Sequence, residues 1–260
     1  MNYAYVTLLS SINYLPAVLA LNANLKQVKS KYPLVVGVTN NIDSSVLPFL
    51  DKENILYEII PFLDYCNEIK QDAQMQNAPQ WLNICSKFAL FKMFNYDKLV
   101  YLDADIMLFA NIDELFEYPD GALYNDNGNP FAGLMVFSPI YHYADFYKAI
   151  SDKFGIIESE VLEKLFFPFR TNPDYRIPFE YYVNITLPDL DSYNISSFKV
   201  VHFIYNYKPW LYETWQDYIS AYLEEFPYEI SNNREQIIKQ YFDNYITPLR
   251  IKYPQLKPRF

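Results

Sequence analysis

The chain has 260 residues and a formal net charge of −10, with 51% hydrophobic and 20% charged residues. This composition is ordinary for a globular protein, and the acidic charge argues against a nucleic-acid partner. The 5 glycines are scattered along the chain, which excludes a dinucleotide-binding turn, a P-loop and a protein-kinase loop. A phosphorylated ligand would therefore need some other means of holding its phosphates.

Apolar runs of strand length alternate with helical patterns through the first half of the chain. This alternation predicts an α/β fold with a mostly parallel sheet flanked by helices. The predicted strands are Tyr3–Leu9, Leu34–Thr39, Ile55–Ile60, Lys98–Asp103 and Gly133–Phe137. The predicted helices are Leu15–Lys31, Ser44–Asp51, Trp81–Asn95 and Tyr141–Phe154, the second entered through Asp43 or Ser44 as its N-cap.

The second half of the chain is patterned differently. Phe166–Asp191 is rich in Pro, Asp, Asn and Tyr, which predicts irregular structure, and Lys199–Ile204 is predicted to be a short strand. Aromatic residues recur at helical spacing after Leu211, which predicts two further helices. We therefore expect one domain over residues 1–210 and a helical C-terminal extension, residues 211–260, packed on it.

The N-terminal apolar stretch, Tyr3–Leu21, lacks Lys and Arg before Lys26 and contains Pro16. We interpret it as a strand and a helix rather than as a secretory signal, and we expect a cytoplasmic protein. No run reaches the roughly 18 apolar residues of a membrane span. The two cysteines show neither a disulfide framework nor metal-ligand spacing.

The strongest local signal is the pair Asp103 and Asp105 at the end of the apolar run LVYLD. In extended backbone, side chains two residues apart point to the same side, so the two carboxylates can converge on one divalent cation. Ligands of open α/β sheets bind at the carboxyl ends of strands. Because a D-x-D tripeptide is also a common turn or helix cap, this motif needs a partner.

A second constellation, KVVHFIYNYKPW, places His202 in an apolar run and Lys208 six residues later. A histidine in such a run is often a hydrogen-bonded core residue. With two carboxylates from elsewhere, its imidazole would instead complete a mixed oxygen and nitrogen ligand set, which suits Mn²⁺ better than Mg²⁺. Lys208 would then place a positive charge on a departing phosphate.

The segments LVYLDADIMLFANIDELF and KVVHFIYNYKPW together resemble family 8 of the retaining glycosyltransferases, specifically its glycogenin-like branch. The N-terminal YVTLLSSINYLPAVLALNANLK and the segment LNICSKFALFKMFNYDKLVYLDAD resemble that branch as well. The resemblance implies a GT-A type, Rossmann-like fold and makes residues 1–210 a nucleotide-sugar transferase domain. It also implies a UDP-sugar donor and a divalent metal, Mn²⁺ or alternatively Mg²⁺.

The resemblance assigns roles to individual residues. It implies that the metal ligands are Asp103, Asp105 and His202. Residues implied to contact the donor are Leu8, Ser10, Tyr14, Lys87, Ala104, Gly133 and Lys208. On the sugar side the sequence departs from the family, because two polar positions are Phe131 and Ala132. The residues expected near the anomeric carbon fall at Ser159 and Glu160, with Glu158 adjacent, and these three are the catalytic candidates.

The resulting hypothesis is a Mn²⁺-dependent retaining transferase that moves glucose, galactose or N-acetylglucosamine from a UDP-sugar to a hydroxyl of a glycan or protein acceptor. The alternative is a catalytically degenerate protein that binds UDP or a UDP-sugar, motivated by the polar residues lost on the sugar side. Self-glycosylation at Tyr193 and a homodimer are left open. A sugar-phosphate nucleotidyltransferase is a third hypothesis, but the chain lacks its glycine-rich, basic N-terminal loop.

Overall fold

The structure is a computed structural model that describes residues 1–63, 79–126, 129–139, 162, 165–166, 168–204, 207–226 and 230–257. The chain forms two compact units. The first unit comprises residues 1–15, 31–104 and 112–178, and the second comprises residues 16–30, 105–111 and 179–260. The predicted division at residue 210 stays a prediction.

Ten strands occur in the described residues, in two sheets. They are β1 (Tyr3–Leu9), β2 (Leu34–Thr39), β3 (Leu56–Ile60), β4 (Lys98–Leu102), β5 (Ile106–Leu108), β6 (Ala122–Asp126), β7 (Asn129–Phe137), β8 (Arg176–Ile177), β9 (Val183–Asn184) and β10 (Val200–His202). The predicted strands all correspond to observed ones, although Ile55, Asp103 and both ends of Lys199–Ile204 lie outside them. Strands β5, β6, β8 and β9 were not predicted from the sequence.

The first unit contains a seven-stranded sheet in the order β3-β2-β1-β4-β7-β6-β8. Strand β1 pairs in parallel with β2 and with β4, and β2 pairs in parallel with β3. Strand β7 runs antiparallel to β4 and to β6. Strand β2 is buried along its whole length, as expected for a parallel strand covered on both faces. The predicted α/β fold with a mostly parallel sheet is confirmed.

The pairing of β1 with β4 decides where a ligand can be bound in the first unit. Val6 lies opposite Tyr101, so the two parallel strands end at the same edge of the sheet. The residues that follow the two strands, Ser10 after β1 and Asp103 after β4, therefore emerge at that edge. This is the edge at which open α/β sheets bind their ligands.

In the described part of the chain the α-helices are α1 (Leu15–Gln27), α2 (Leu47–Lys52), α3 (Pro168–Thr171), α4 (Trp215–Glu225), α5 (Asn232–Tyr241) and α6 (Thr247–Lys252). A π-helical turn, Phe242–Ile246, joins α5 to α6, and Pro79–Lys92 is a 3₁₀ helix where the sequence predicts Trp81–Asn95. The predicted helix Tyr141–Phe154 lies outside the described residues. The segment predicted to be irregular contains only short elements, as expected.

Helix α1 ends four residues earlier than predicted, and its C-terminal cap explains why. Lys29 adopts a left-handed conformation with φ of 56°. The backbone N–H of Ser30 then donates to the carbonyl of Leu25 at 3.0 Å, and that of Lys29 donates to Lys26 at 3.1 Å. This pair of bonds is the Schellman arrangement, which ends a helix with its last carbonyls satisfied.

The second unit contains a three-stranded sheet in the order β5-β10-β9. Strand β10 runs antiparallel to β5 and parallel to β9, so His202 lies between Ile106 on one side and Asn184 on the other. Most of the aromatic residues predicted to follow helical spacing are buried in this unit, whereas Trp215 and Phe226 are half-buried. The buried ones include Tyr218, Tyr222, Tyr241 and Tyr245.

None of the helices in the described ranges combines the length and the apolar character that crossing a membrane requires.

Asn24 in α1 ties that helix to the small sheet. Its side chain is 1% exposed and bonds both backbone groups of Leu108, accepting from the N–H at 2.6 Å and donating to the carbonyl at 2.9 Å. The same amide donates to the hydroxyl of Tyr245 at 2.7 Å. One buried side chain thus satisfies the hydrogen-bonding groups of Leu108, the last residue of β5. Strand β5 itself begins directly after Asp105.

We predict that Asn24→Ala lowers the free energy of unfolding by about 2–4 kcal/mol, because both backbone groups of Leu108 lose a buried partner. Urea denaturation measures the change. Asn13→Ala, at an exposed position of the adjoining segment, is the control and should leave the unfolding free energy nearly unchanged. An equal loss in both variants would contradict the role given to Asn24.

Candidate functional site

The carboxylate of Asp105 is buried in the second unit, where its residue is 6% exposed. Oδ1 lies 3.1 Å from Nε2 of His202, and Oδ2 accepts a hydrogen bond from Nζ of Lys208 at 2.6 Å. The backbone carbonyl of Asp105 accepts from the N–H of Phe203 at 2.9 Å. Because β5 pairs with β10 so that Ile106 faces His202, the sheet register itself brings the carboxylate and the imidazole together.

Lys208 supplies the charge that makes this burial possible. The residue is 7% exposed, and Nζ donates to the carbonyl of Phe203 at 2.6 Å as well as to Asp105. Burial alone raises the pKa of the Asp105 carboxyl, but the ammonium of Lys208 and the imidazole of His202 outweigh burial and hold that pKa well below its usual range. The carboxylate therefore stays ionised inside the protein.

His202 is held at both ring nitrogens. Nε2 faces Asp105, while Nδ1 lies 2.6 Å from the hydroxyl of Tyr182. The two rings are 4.9 Å apart at their centroids and tilted by 45°. Tyr182, His202, Asp105 and Lys208 thus form one continuous chain of buried polar groups.

Asp103 belongs to the first unit and is more open, with a side chain that is 24% exposed. Its backbone N–H donates to the carbonyl of Gly133 on the neighbouring strand at 2.9 Å. Oδ1 accepts from the hydroxyl of Tyr101 at 2.6 Å and lies 3.6 Å from Nζ of Lys87. The first carboxylate of the motif is thus anchored by its backbone and by a hydroxyl on the preceding strand β4.

Lys87 is buried beside Asp103, with only 4% of the residue exposed. Its Nζ donates to the carbonyl of Ala132 at 3.4 Å and lies 5.0 Å from the centroid of the Tyr101 ring. The ring face and the carboxylate together solvate a buried ammonium. This lysine therefore stabilises the Asp103 carboxylate, and its contact with a donor stays a prediction.

The other predicted donor-binding residues of the first unit lie near the ends of β1 and β4. Leu8, Ser10 and Tyr14 are each partly exposed, at the end of β1 and just after it. Ala104 and Gly133 are buried. Glu158, Ser159 and Glu160, the predicted catalytic residues, lie outside the described residues, so their role stays a prediction.

Two residues that contact the site were missed at the sequence level. Tyr101 precedes Asp103 by two residues, so the alternation of side chains along a strand could have indicated that the two share a face. Tyr182 gave no such signal, because it lies in a segment with no clear periodicity and reaches His202 only through tertiary structure.

Asp103, Asp105 and His202 form a group that could hold a metal ion. Asp103 and Asp105 are separated by one residue, and Oδ1 of Asp105 and Nε2 of His202 already face each other. Two carboxylates and an imidazole are a ligand set that divalent cations such as Mn²⁺ accept. Lys208 occupies the other oxygen of Asp105, so the oxygen turned towards His202 is the one that a cation would take. The residues present therefore fit a divalent metal.

Three glycosyltransferases of known structure share this fold. The bifunctional glycosyltransferase WbbM superposes with a TM-score of 0.61 at 14% identity, covering 98% of this chain and 52% of that one. GlyE of Streptococcus pneumoniae gives 0.58 at 13% identity, covering 98% and 65%. The galactosyltransferase LgtC, solved with donor and acceptor sugar analogs, gives 0.52 at 12% identity, covering 92% and 100%. The chain thus has the fold of the GT-A glycosyltransferases.

The sequence of the first half matches a known family. The family model described as Glycosyl transferase family 8 matches residues 5–127. Galactinol synthase 3 of Arabidopsis thaliana is 40% identical over 123 residues, which are 46% of this chain and 35% of the relative. Galactinol synthase 1 of Ajuga reptans is 37% identical over 122 residues, with the same two coverages. Family 8, recognised from the sequence, is confirmed for this segment, and the glycogenin-like branch stays a prediction.

The matched segment contains Asp103, Asp105 and Lys87, whereas His202 and Lys208 lie beyond it. The chain spans 35% of the length of these two curated relatives.

We predict that Asp105→Asn lowers the unfolding free energy at pH 7 by roughly 3 kcal/mol in EDTA, because Lys208 loses its buried counter-charge. The folded-state pKa of Asp105 is lowered, so its stabilisation is complete above the unfolded pKa of about 4 and is lost as the pH falls below that value. The difference between wild type and variant should therefore shrink from about pH 4 downwards.

Urea denaturation from pH 7 to pH 3 measures this difference. Asp174→Asn, at an exposed position, is the matched control and should follow the wild type throughout. A difference that stays constant over the whole range would contradict the ionised, paired state of Asp105.

Proposed function

We propose that this protein is a retaining glycosyltransferase that transfers a hexose from a UDP-sugar and uses a divalent cation, Mn²⁺ or alternatively Mg²⁺. The observation that carries the proposal is the buried Asp105 carboxylate, kept ionised between His202 and Lys208 and two positions after Asp103 in the chain. An ionised carboxylate in a protein interior is costly, so its retention calls for a function. The family match of residues 5–127 supplies the reaction class.

The charges of the site suit a diphosphate. Asp103 and Asp105 bring two negative charges, and Lys87 and Lys208 bring two positive ones, so these four side chains sum to zero. A bound divalent cation would leave the site positive and would neutralise the charge that develops on the leaving diphosphate. This set also explains how a chain with a net charge of −10 can accept an anionic donor without a glycine-rich loop.

Lys208 has a further part in the proposal. An ammonium group has three N–H donors, and two of them are directed at Asp105 and at the carbonyl of Phe203. Among the described residues this leaves one donor for an oxygen of the departing diphosphate. The lysine is already ordered before the donor binds, so its charge contributes without reorganisation during the reaction.

The nucleoside would lie at the edge of the first sheet where β1 and β4 both end. Leu8 and Ser10 belong to that edge, and Tyr14 offers an aromatic ring on which the base can stack. The partly exposed state of all three is what a ligand-binding edge requires. Ala104 and Gly133 would contribute backbone atoms that lie close to the donor. Glu158, Ser159 and Glu160 stay the catalytic candidates.

The proposal leaves the identity of the transferred sugar to experiment. Phe131 and Ala132 replace polar residues of the family, so the hydroxyl pattern that is read differs from that of the glycogenin-like branch. Two relatives are named galactinol synthase and one structural neighbour is a galactosyltransferase. UDP-galactose therefore stands first in a donor panel that also contains UDP-glucose and UDP-N-acetylglucosamine. A glycan or protein acceptor, the homodimer and the cytoplasmic location stay predictions.

We predict release of UDP from at least one donor of this panel in the presence of Mn²⁺, and loss of that release in EDTA. Asp103→Ala should reduce the rate by about 100-fold or more, because a ligand of the charge-stabilising cation is gone. Asp174→Ala, an exposed aspartate of the same unit, is the control and should retain the wild-type rate.

Turnover that persists in EDTA, or a fully active Asp103→Ala variant, would contradict the proposal. Calorimetric binding of UDP without turnover on any donor would favour the degenerate binding protein, which the apolar Phe131 and Ala132 motivate.

A further inference from the structure

His202 has an unusual neighbour in the second unit. The hydroxyl of Tyr182 lies 2.6 Å from Nδ1, and both residues are buried, at 3% and 5% exposure. No residue type pattern in the sequence connects the two, and the family resemblance assigns Tyr182 no part. Tyr182 nonetheless contacts Nδ1 of His202, whereas the other ring nitrogen, Nε2, faces Asp105.

The backbone fixes this contact. Tyr182 donates its N–H to the carbonyl of Phe179 at 2.9 Å and directly precedes β9. Two residues later, Asn184 pairs with His202, and the N–H of Ile185 donates to the carbonyl of His202 at 3.0 Å. The ring of Tyr182 is therefore placed by the register of β9 on β10 rather than by a flexible loop.

The hydrogen bond at Nδ1 decides what Nε2 can do. A neutral imidazole carries one proton, and only the unprotonated nitrogen can donate a lone pair to a metal. If Nδ1–H donates to the Tyr182 oxygen, Nε2 is free to coordinate. If the Tyr182 hydroxyl donates to Nδ1 instead, Nε2 carries the proton and can only hydrogen-bond to Asp105. A histidine ligand normally has such a partner on its second nitrogen, which fixes tautomer and ring orientation.

We infer that Tyr182 is a positioning residue for the metal site, in which its hydroxyl oxygen accepts the Nδ1 proton of His202 and so presents Nε2 to the cation. The inference rests on the proposed function, because it requires that Asp103, Asp105 and His202 bind a divalent metal. It adds a role for a residue outside that ligand set and outside the matched segment.

The neighbouring Tyr181 provides a matched control. It has the same side chain and is 5% exposed, but its hydroxyl accepts from Nζ of Lys199 at 2.8 Å, away from His202. Replacement of either tyrosine by phenylalanine removes one buried hydroxyl that makes a hydrogen bond and keeps the ring. A merely structural role would make the two variants behave alike.

The test is a titration of the full chain with Mn²⁺ in the absence of any donor. The electron paramagnetic resonance signal of free Mn²⁺ measures how much of the ion remains unbound. Tyr182→Phe should weaken Mn²⁺ binding by about 10–100-fold, and Tyr181→Phe should leave it unchanged. Circular dichroism shows whether each variant is folded. Equal affinity of a folded Tyr182→Phe and the wild type would overturn the inference, whereas a wild type that binds no Mn²⁺ would overturn the proposed metal site itself.

A second measurement uses the unaltered Tyr182. The chain has only two histidines, so a His142→Gln variant leaves the ¹⁵N signals of the His202 ring as the only histidine signals in the spectrum. With Mg²⁺ added, the inferred arrangement gives a protonated Nδ1 and an unprotonated Nε2. A protonated Nε2 in the metal-loaded protein would overturn the role of Tyr182 even if Tyr182→Phe failed to fold.

Discussion

The structure of the second unit depends on one buried charge. The Asp105 carboxylate is almost without contact to solvent, and an isolated ion in that position would be far too costly to retain. Lys208 and His202 offset this cost, since Nζ of Lys208 donates to one oxygen and Nε2 of His202 lies 3.1 Å from the other. They come from positions 103 and 97 residues further along the chain. The carboxylate is therefore compensated only when β5 pairs with β10 and Lys208 contacts both Asp105 and the carbonyl of Phe203.

The same network fits the proposed chemistry better than a purely stabilising role. A buried ion pair contributes less than well-packed apolar side chains of similar volume, so stability alone does not explain it. Its useful property is preorganisation: the carboxylate is ionised, the ammonium is ordered and the imidazole is held at both nitrogens before any ligand arrives. Asp103 differs, since it is partly exposed and stabilised by Tyr101 and Lys87 within the first unit. The Asp105 carboxylate is thus buried and held in place, whereas that of Asp103 remains partly accessible to solvent.

The helices after residue 210 stabilise this arrangement, although the family resemblance does not extend to them. Arg250 of α6 donates to the carbonyls of Trp210, Tyr212 and Glu213, in the segment that directly follows Lys208. Arg234 of α5 donates to the carbonyls of Ile185 and Leu187, directly after β9. Each arginine satisfies backbone acceptors that the short strands and turns leave over. The C-terminal helices therefore help to fix two segments near the site. One follows β9, which pairs with the strand of His202, and the other follows Lys208 in the chain.

Sequence alone predicted β1, β2, β3, β4, β7 and β10 and their alternation with helices, because apolar runs such as Tyr3–Leu9 and Leu34–Thr39 are long and bounded by turn residues. It also predicted Asp103, Asp105, His202 and Lys208 as site residues, since the carboxylates follow an apolar strand and the histidine interrupts another. It could not predict the early end of α1, which depends on the left-handed Lys29, nor β5, whose three residues are too few for a periodic signal. Only the tertiary structure decided that Lys208 neutralises Asp105, that Lys87 lies beside Asp103 and that Tyr182 contacts His202. These contacts join residues distant in the chain, and such contacts follow from strand register and burial rather than from local pattern.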